Sequence, residues 1–133
     1  MIVLDTHVLL WWIGGDPQLS SRARSEIQRE HTAEQGKILI SAISAWEIAM
    51  LVEKGRLTLS MGVDDWLAAV AEVESVIFVP IDNATAIHST RLPDHFHKDP
   101  ADRMIVALAR HMNAPLLTSD EKIQAYRHVK TIW

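Results

Sequence analysis

The sequence predicts a single α/β domain with a central, mainly parallel sheet flanked by helices, and three observations support this prediction. Short runs of aliphatic and β-branched residues alternate with longer segments of helical character. The runs are apolar at nearly every position, which is typical of strands covered on both faces. The chain has 133 residues, 48% of them apolar, which is enough for one sizeable core. We therefore expect residues 1–133 to form one domain.

Each strand is predicted from a short apolar run that ends at a turn or at a helix start. The first run, Ile2-Val3-Leu4, ends on Asp5 and leads directly into a second apolar segment. Later runs have the same form, and the end of the chain is interpreted as a closing edge strand. The expected strands are residues 2–4, 38–40, 76–79, 116–118 and 129–132.

Helices are predicted where capping and breaking residues bracket the segments between strands. Ser20 or Ser21 suits the start of the second helix, and Gly55 suits the end of the third. Asp99 followed by Pro100 opens the most regular helix, since proline is favoured at the first helical position. The expected helices cover about residues 8–13, 20–31, 41–54, 64–73, 82–91 and 99–112, with a short one that begins at Ser119-Asp120.

The composition excludes several classes of protein and site. The chain has no cysteine, which rules out disulfides, thiolate zinc sites and cysteine nucleophiles and fits a reducing cytoplasm. Its apolar runs are far shorter than the ~20 residues that cross a bilayer, and its N-terminus lacks the basic region of a signal peptide. The net charge of −4 argues against a broad basic surface for nucleic acid.

Two acidic residues, Asp5 and Asp120, directly follow predicted strands. Because parallel strands joined by right-handed crossovers end at one edge of the sheet, these side chains are expected to share that edge. Open α/β sheets place their ligand crevice there. Taken alone, Asp5 is equally well explained as the N-cap of the helix that follows it, and Asp120 is better explained as such a cap than as a ligand.

Two further acids, Glu47 and Asp102, lie on the apolar sides of predicted helices. A buried polar group without a partner costs roughly 2–7 kcal/mol, so these positions call for an explanation. Asp102 is also the third residue of its helix, where favourable interaction with the helix dipole is the ordinary explanation. The apolar neighbours three and four positions away are Ile43, Met50 and Leu51 for Glu47, and Ile105 and Val106 for Asp102.

Together the four acids predict a metal site. Four carboxylates brought to one place repel one another unless a cation joins them. Oxygen ligands without cysteine or paired histidine favour Mg²⁺ or Mn²⁺ over zinc. Such an ion activates water and offsets charge on a phosphodiester, so the chemistry implied is phosphodiester hydrolysis. The four acids account for −4, the net charge of the chain, which leaves the remaining surface balanced.

The ordered set of acids resembles the motifs of PIN-domain ribonucleases of the VapC toxin type, from toxin–antitoxin pairs. The four matching stretches are Val3-Leu4-Asp5-Thr6-His7, Ser44-Ala45-Trp46-Glu47-Ile48, Asp99-Pro100-Ala101-Asp102-Arg103-Met104-Ile105 and Leu117-Thr118-Ser119-Asp120. The resemblance implies an Mg²⁺- or Mn²⁺-dependent endoribonuclease that cuts tRNA, rRNA or mRNA. It also implies a homodimer and a VapB-like antitoxin whose C-terminal segment blocks the cleft. The metal ligands it implies are Asp5, Glu47, Asp102 and Asp120.

Residues beside the acids are expected to support them or to cap helices. Thr6 and Ser119 are candidate hydrogen-bond donors to a carboxylate or to water, with helix capping as the alternative. Asp99 is expected to be a structural cap that lies close enough to assist. Arg103 is expected to form a surface or interface ion pair, because it points to a different side of the helix from Asp102.

Histidine, tryptophan and basic residues offer weaker indications. The loop residues His95 and His97 lack companions for a zinc site. Stacking on bases is possible for the tryptophans and phosphate contact for the basic residues, but apolar packing in the core or a dimer and solvated helix faces are favoured. The residues concerned are Trp11, Trp12 and Trp46, and Arg22, Arg24, Lys54 and Arg56.

Two alternative functions share the predicted fold. A phosphotransfer receiver domain also clusters acids around Mg²⁺, but it needs an acceptor aspartate at the end of a mid-chain strand. The strand at 76–79 instead ends at Pro80, and its first acid is Asp82. A catalytically silent PIN scaffold that only binds protein or RNA is the other alternative, and a metal-dependent cleavage assay distinguishes it.

Overall fold

The fold is a five-stranded parallel sheet with helices on both faces, seen in a computed structural model that describes residues 1–133. The strand order is β3-β2-β1-β4-β5, and all four neighbouring pairs are parallel. This confirms the predicted α/β class. The strands are β1 (Ile2–Leu4), β2 (Ile38–Ser41), β3 (Val76–Val79), β4 (Leu116–Leu117) and β5 (Thr131–Ile132).

Seven helices connect and flank these strands. Ser20, Asp82, Asp99 and Asp120 accept backbone N–H groups at helix starts, as their sequence positions predict. No helix is long and apolar enough to span a membrane. The helices are α1 (Thr6–Gly14), α2 (Ser21–Thr32), α3 (Ala42–Glu53), α4 (Val63–Ala71), α5 (Asn83–Thr90), α6 (Pro100–Met112) and α7 (Glu121–Gln124).

The boundaries differ from prediction at α1, at α4 and at the two C-terminal strands. Helix α1 begins at Thr6, before the expected start at Val8. Helix α4 begins at Val63 with Gly62 as its cap, because Asp64 and Asp65 occupy the first turn rather than the cap position. Acids favour either place, since both are near the positive end of the helix dipole. Strand β4 ends before Thr118, and β5 covers two residues rather than the four expected.

The sheet separates two apolar layers, which explains why its strands are apolar at every position. In β1, Ile2 and Leu4 face one layer and Val3 faces the other, because successive side chains alternate across a strand. The first layer is covered mainly by α1, α2, α3 and α4. The second is covered mainly by α6, whose residues Ile105 and Val106 are fully buried.

The carboxyl ends of the central strands meet at one edge. Val3 of β1 is in register with Leu39 of β2 and with Leu116 of β4, so the three strands end at similar heights. Asp5 leaves β1 at this edge, where its backbone N–H donates to the Leu117 carbonyl at 3.0 Å. Helices α1 and α3 begin at the same edge, which brings the predicted site residues together.

Candidate functional site

Asp5 is buried, and two neighbours donate hydrogen bonds to its carboxyl group. The Thr118 hydroxyl donates to Oδ2 at 2.7 Å, and the Thr6 backbone N–H donates to Oδ1 at 2.8 Å. The Thr118 oxygen in turn accepts the Asp120 backbone N–H at 3.0 Å. Asp5 is therefore held from both flanks, by the end of β4 and by the start of α1.

Glu47 reaches the same edge from α3 and is held by Thr6. The Thr6 hydroxyl donates to Glu47 Oε1 at 2.6 Å and lies 2.8 Å from the Ser44 hydroxyl oxygen. Because a hydroxyl has one hydrogen and Thr6 uses it on Glu47, Ser44 must donate to Thr6. The chain of hydrogen bonds from Ser44 to Thr6 and from Thr6 to Glu47 links α1 to α3 beside Asp5.

Asp102 lies in the first turn of α6, and its side chain is 19% exposed. Burial, followed by the charges of nearby carboxylates, raises the pKa of Asp102 to about 7. The carboxylates that raise it are Asp5, Asp99, Asp120 and Glu47. Acids from four separate parts of the chain thus act on one another, and we call this group of five the acidic rim.

The remaining rim acids also cap helices. Asp120 Oδ1 accepts the backbone N–H groups of Lys122 and Ile123 at 2.8 and 3.2 Å. Asp99 Oδ1 accepts the Asp102 backbone N–H at 2.9 Å. Both acids therefore perform the ordinary capping role that the sequence suggests, while their charges act on Asp102.

The electrostatics of the rim disfavour full ionisation. Burial raises the pKa of Asp5, and the Asp120 charge adds to the effect, although the Thr118 and Thr6 hydrogen bonds oppose it. Burial also raises the pKa of Glu47, with Asp5 and Asp99 adding to it and the Thr6 bond opposing it. The rim therefore holds negative charge that a cation would stabilise.

The rim is not a closed metal cage. No three of the chain's histidine, aspartate or glutamate side chains, as they stand, are close enough to surround one ion. Mg²⁺ commonly keeps several of its waters and binds through one or two carboxylates, so its chemistry does not require such a cage. The donor set is all oxygen, which fits Mg²⁺ or Mn²⁺.

Two hydroxyl groups were expected to donate to the acids, those of Thr6 and Ser119. The first expectation is confirmed, and in the second case a neighbouring residue is the donor. Thr6 donates to a carboxylate as predicted. At the other flank the hydroxyl that reaches Asp5 belongs to Thr118, not to Ser119. Thr118 and Ser44 were missed because Thr118 ends an apolar run and Ser44 lies within one, and only the register of neighbouring strands and helices turns them toward the acids.

Arg103 forms no ion pair within the chain, so the predicted surface ion pair is wrong. Its side chain turns back over the segment before α6 and donates to the backbone carbonyls of Ser89, Phe96 and His97. The prediction considered the direction of the side chain on the helix but not the unpaired carbonyls of a loop. In the same loop the side chain of His97 is partly buried, whereas that of His95 is exposed.

The tryptophans differ in their surroundings. Trp11 and Trp12 are partly buried against the first core layer, in agreement with apolar packing. Trp46 is 57% exposed and does not pack in the core, because it lies nearly opposite Ser44 and Ile48, the buried residues of α3; packing in a dimer stays a prediction for it. The four basic residues considered for phosphate contact are exposed: Arg22, Arg24, Lys54 and Arg56.

A large apolar groove adjoins the rim. It has a volume of about 880 Å³ and extends from His7 beside Asp5 to the segment between α3 and α4. Apolar side chains make up most of its wall, among them Trp11, Leu57, Met61 and Trp66.

The fold and the acidic rim define a recognisable class of protein. A family profile described as the PIN domain matches residues 2–129, and the chain belongs to the PIN-domain family. It is 38% identical over 135 residues to Ribonuclease VapC22 of Mycobacterium tuberculosis (strain ATCC 25618 / H37Rv), covering 99% of this chain and 98% of that protein.

Solved structures share the fold at low sequence identity. VapBC2 from Rickettsia felis, bound to a DNA fragment from its promoter, has a TM-score of 0.71 at 16% identity, covering 99% of this chain and 98% of that one. DNA-bound VapBC from Salmonella typhimurium has a TM-score of 0.68 at 19% identity, with coverages of 99% and 98%. FitAcB from Neisseria gonorrhoeae has a TM-score of 0.66 at 20% identity, with coverages of 100% and 97%.

Proposed function

We propose that residues 1–133 act as one PIN domain, a VapC-type endoribonuclease that hydrolyses RNA with the help of Mg²⁺ or Mn²⁺. The observation that carries the proposal is the acidic rim, where burial, together with the charges of neighbouring carboxylates, raises the pKa values of Asp5, Glu47 and Asp102. The 38% identity to a protein named as a ribonuclease supports the choice of RNA as the substrate.

The proposed metal ligands are Asp5, Glu47 and Asp102, with Asp120 completing the site directly or through water. Each is an oxygen donor, and none forms an ion pair with a lysine or arginine. When bound, Mg²⁺ or Mn²⁺ supplies an activated water and offsets the charge that develops on the scissile phosphate. The unfavourable ionisation of the rim carboxylates is the physical reason for expecting a cation.

The residues around the ligands have a separate task, which is to fix carboxylate orientation before RNA arrives. Thr118 holds one oxygen of Asp5, and Thr6 holds one oxygen of Glu47. Each hydroxyl is itself oriented by a donor, the Asp120 N–H or the Ser44 hydroxyl. Such outer contacts around a metal site are typically worth 10–100-fold in affinity or activity, which is an approximate range.

The proposed partners follow from the family. We propose a VapB-like antitoxin that blocks the rim, a homodimeric toxin and a cytoplasmic RNA target among tRNA, rRNA and mRNA. Support comes from the structures that share this fold, which include VapBC from two organisms and FitAcB from a third. The fold itself is what those structures share with this chain.

The experiment that tests the function is RNA cleavage by purified protein with its rim altered. We expect cleavage with Mg²⁺ or Mn²⁺, none in excess EDTA, and a loss of roughly 100-fold or more in Asp5→Asn and Asp102→Asn. Asp64→Asn, an exposed acid in the first turn of α4, is the matched control and should cleave normally.

Two outcomes would reject the assignment. Cleavage that persists in EDTA, or in both rim variants, would contradict the metal mechanism. Folded protein that binds Mn²⁺ and yet cuts no RNA in a pooled tRNA, rRNA and mRNA substrate would favour the silent-scaffold alternative.

A further inference from the structure

The imidazole of His97 lies against the carboxylate of Asp102. His97 is not among the proposed metal ligands, so this contact needs a separate explanation. Nε2 is 3.1 Å from Asp102 Oδ2, and the side chains of the two residues are 22% and 19% exposed. The Nε2 atom itself is shielded from solvent and forms no aligned hydrogen bond with any group. A buried polar atom left unpaired costs about 1–3 kcal/mol, so the position of Nε2 beside a carboxylate calls for a reason.

Arg103 holds the backbone of this histidine in place. Its Nε donates to the Ser89 carbonyl at 2.7 Å, and its Nη1 donates to the carbonyls of Phe96 and His97 at 3.0 and 3.3 Å. Arg103 is the residue after Asp102 in α6. One helical turn therefore carries the carboxylate and also fixes the backbone from which the imidazole projects.

Aromatic packing holds the same segment from a second direction. Phe96 is 5% exposed, and its ring centroid lies 4.6 Å from that of Tyr126 and 4.4 Å from that of His97. The Tyr126 hydroxyl donates to the Pro93 carbonyl, which ties the start of the segment to the C-terminal part of the chain. A segment with no regular secondary structure is thus held at three places, and the imidazole has little freedom to swing away.

We propose that His97 is a positioning residue that holds the Asp102 carboxylate in the orientation needed to ligate the metal ion. The inference rests on the proposed function, since it takes Asp102 as a ligand. The terminal torsion of an aspartate is soft, so a small rotation aligns Oδ2 with the Nε2–H group and leaves Oδ1 free for the ion. A metal-ligating group is commonly oriented by such an outer hydrogen bond.

The test is Mn²⁺ affinity, measured by calorimetry on the full chain in the absence of RNA. We expect His97→Ala to weaken Mn²⁺ binding by about 10–100-fold. His97→Gln, whose amide N–H has a comparable reach, should recover most of that loss. His95→Ala, which changes an exposed histidine two residues away, should bind as the wild type does.

Cleavage kinetics give a second readout. With saturating Mn²⁺, His97→Ala should recover kcat more fully than it does at low Mn²⁺, while KM for RNA stays unchanged. A purely structural role would instead lower the unfolding midpoint and leave the Gln variant no better than the Ala variant.

The measurements distinguish a failure of this inference from a failure of the proposed function. Wild-type Mn²⁺ affinity in His97→Ala, or equal weakening in His97→Ala and His97→Gln, would overturn this inference and leave the proposed function standing. Wild-type Mn²⁺ affinity in Asp102→Asn would overturn both, because Asp102 would then not be a ligand.

Discussion

Replacing Asp102 with asparagine should stabilise the metal-free protein, although we expect the same change to abolish activity. In the folded chain Asp102 faces the rim carboxylates and, from the preceding segment, His97. Its pKa rises from 3.8 to about 7. At about 1.4 kcal/mol per pKa unit, that difference corresponds to at most ~4 kcal/mol. Partial exposure and solvent screening reduce the effect, so we expect roughly 1–3 kcal/mol.

The folding stability of the wild type should decrease as the pH rises, because the folded chain binds a proton at Asp102 more tightly than the unfolded chain does. Between pH 3.8 and about 7 the folded chain keeps a proton on Asp102 that the unfolded chain has lost. The contribution of this group to stability is therefore complete at low pH and is lost as the pH rises through about 7. The asparagine variant has no such loss, so its advantage should be largest above neutrality and small near pH 4.

Urea unfolding in excess EDTA measures this difference. We expect the midpoint of Asp102→Asn to exceed that of the wild type at about pH 8 and to approach it near pH 4. Asp64→Asn is the control. Asp64 is exposed and lies at a helix start, where a negative charge is favourable, so this variant should not be more stable than the wild type at pH 8. A variant that is less stable than the wild type at pH 8 would refute the argument that the rim charges repel.

Three further substitutions test separate parts of the structure. Gly36→Ala should lower the thermal unfolding midpoint markedly, because a Cβ there would lie 1.7 Å from the Glu30 carbonyl oxygen. Thr118→Val should cost about 1–3 kcal/mol in urea unfolding near pH 8, because it removes the hydroxyl donor to buried Asp5, and less at low pH, where that carboxyl is protonated. Arg103→Ala should cost about 2–4 kcal/mol and expose residues 91–98 to limited proteolysis, because three carbonyls lose their donor.

Each of these has a matched comparison. Gly14→Ala adds a Cβ with nothing within 4 Å inside helix α1, where alanine is favoured over glycine, so it should not lower the midpoint. Thr118→Ser keeps the hydroxyl and should retain most of the stability that valine loses. Arg110→Ala, on the exposed last turn of α6, should leave residues 91–98 resistant to protease. Equal effects in a test variant and its comparison would contradict the contact assigned to it.

Local features of the sequence predicted the α/β fold class and several helix caps well, and they singled out the candidate acids. Asp82 and Asp99 cap the helices expected of them, because capping depends on residues only two or three positions away. Glu47 and Asp102 stood out because helical spacing alone placed each among apolar neighbours. Convergence at one edge followed from the handedness of parallel connections.

Side-chain contacts between segments that are far apart in the sequence could not be predicted from local sequence features. Thr118 meets Asp5 across 113 positions of sequence, and only the register of β4 against β1 decides that it, rather than Ser119, faces the acid. Arg103 finds carbonyls in a segment without regular structure, and no spacing rule specifies that segment's backbone. Trp46 is exposed because the inward side of α3 is narrower than its apolar sequence suggests.

The most direct test of the acidic rim is to locate the ion. Crystals grown with Mn²⁺ and measured near the manganese absorption edge should show an anomalous peak beside the carboxylates of Asp5 and Asp102, and the peak should vanish in Asp102→Asn crystals. A peak that lies away from the rim, or a rim without a peak in protein that cleaves RNA under the same Mn²⁺ concentration, would contradict the account.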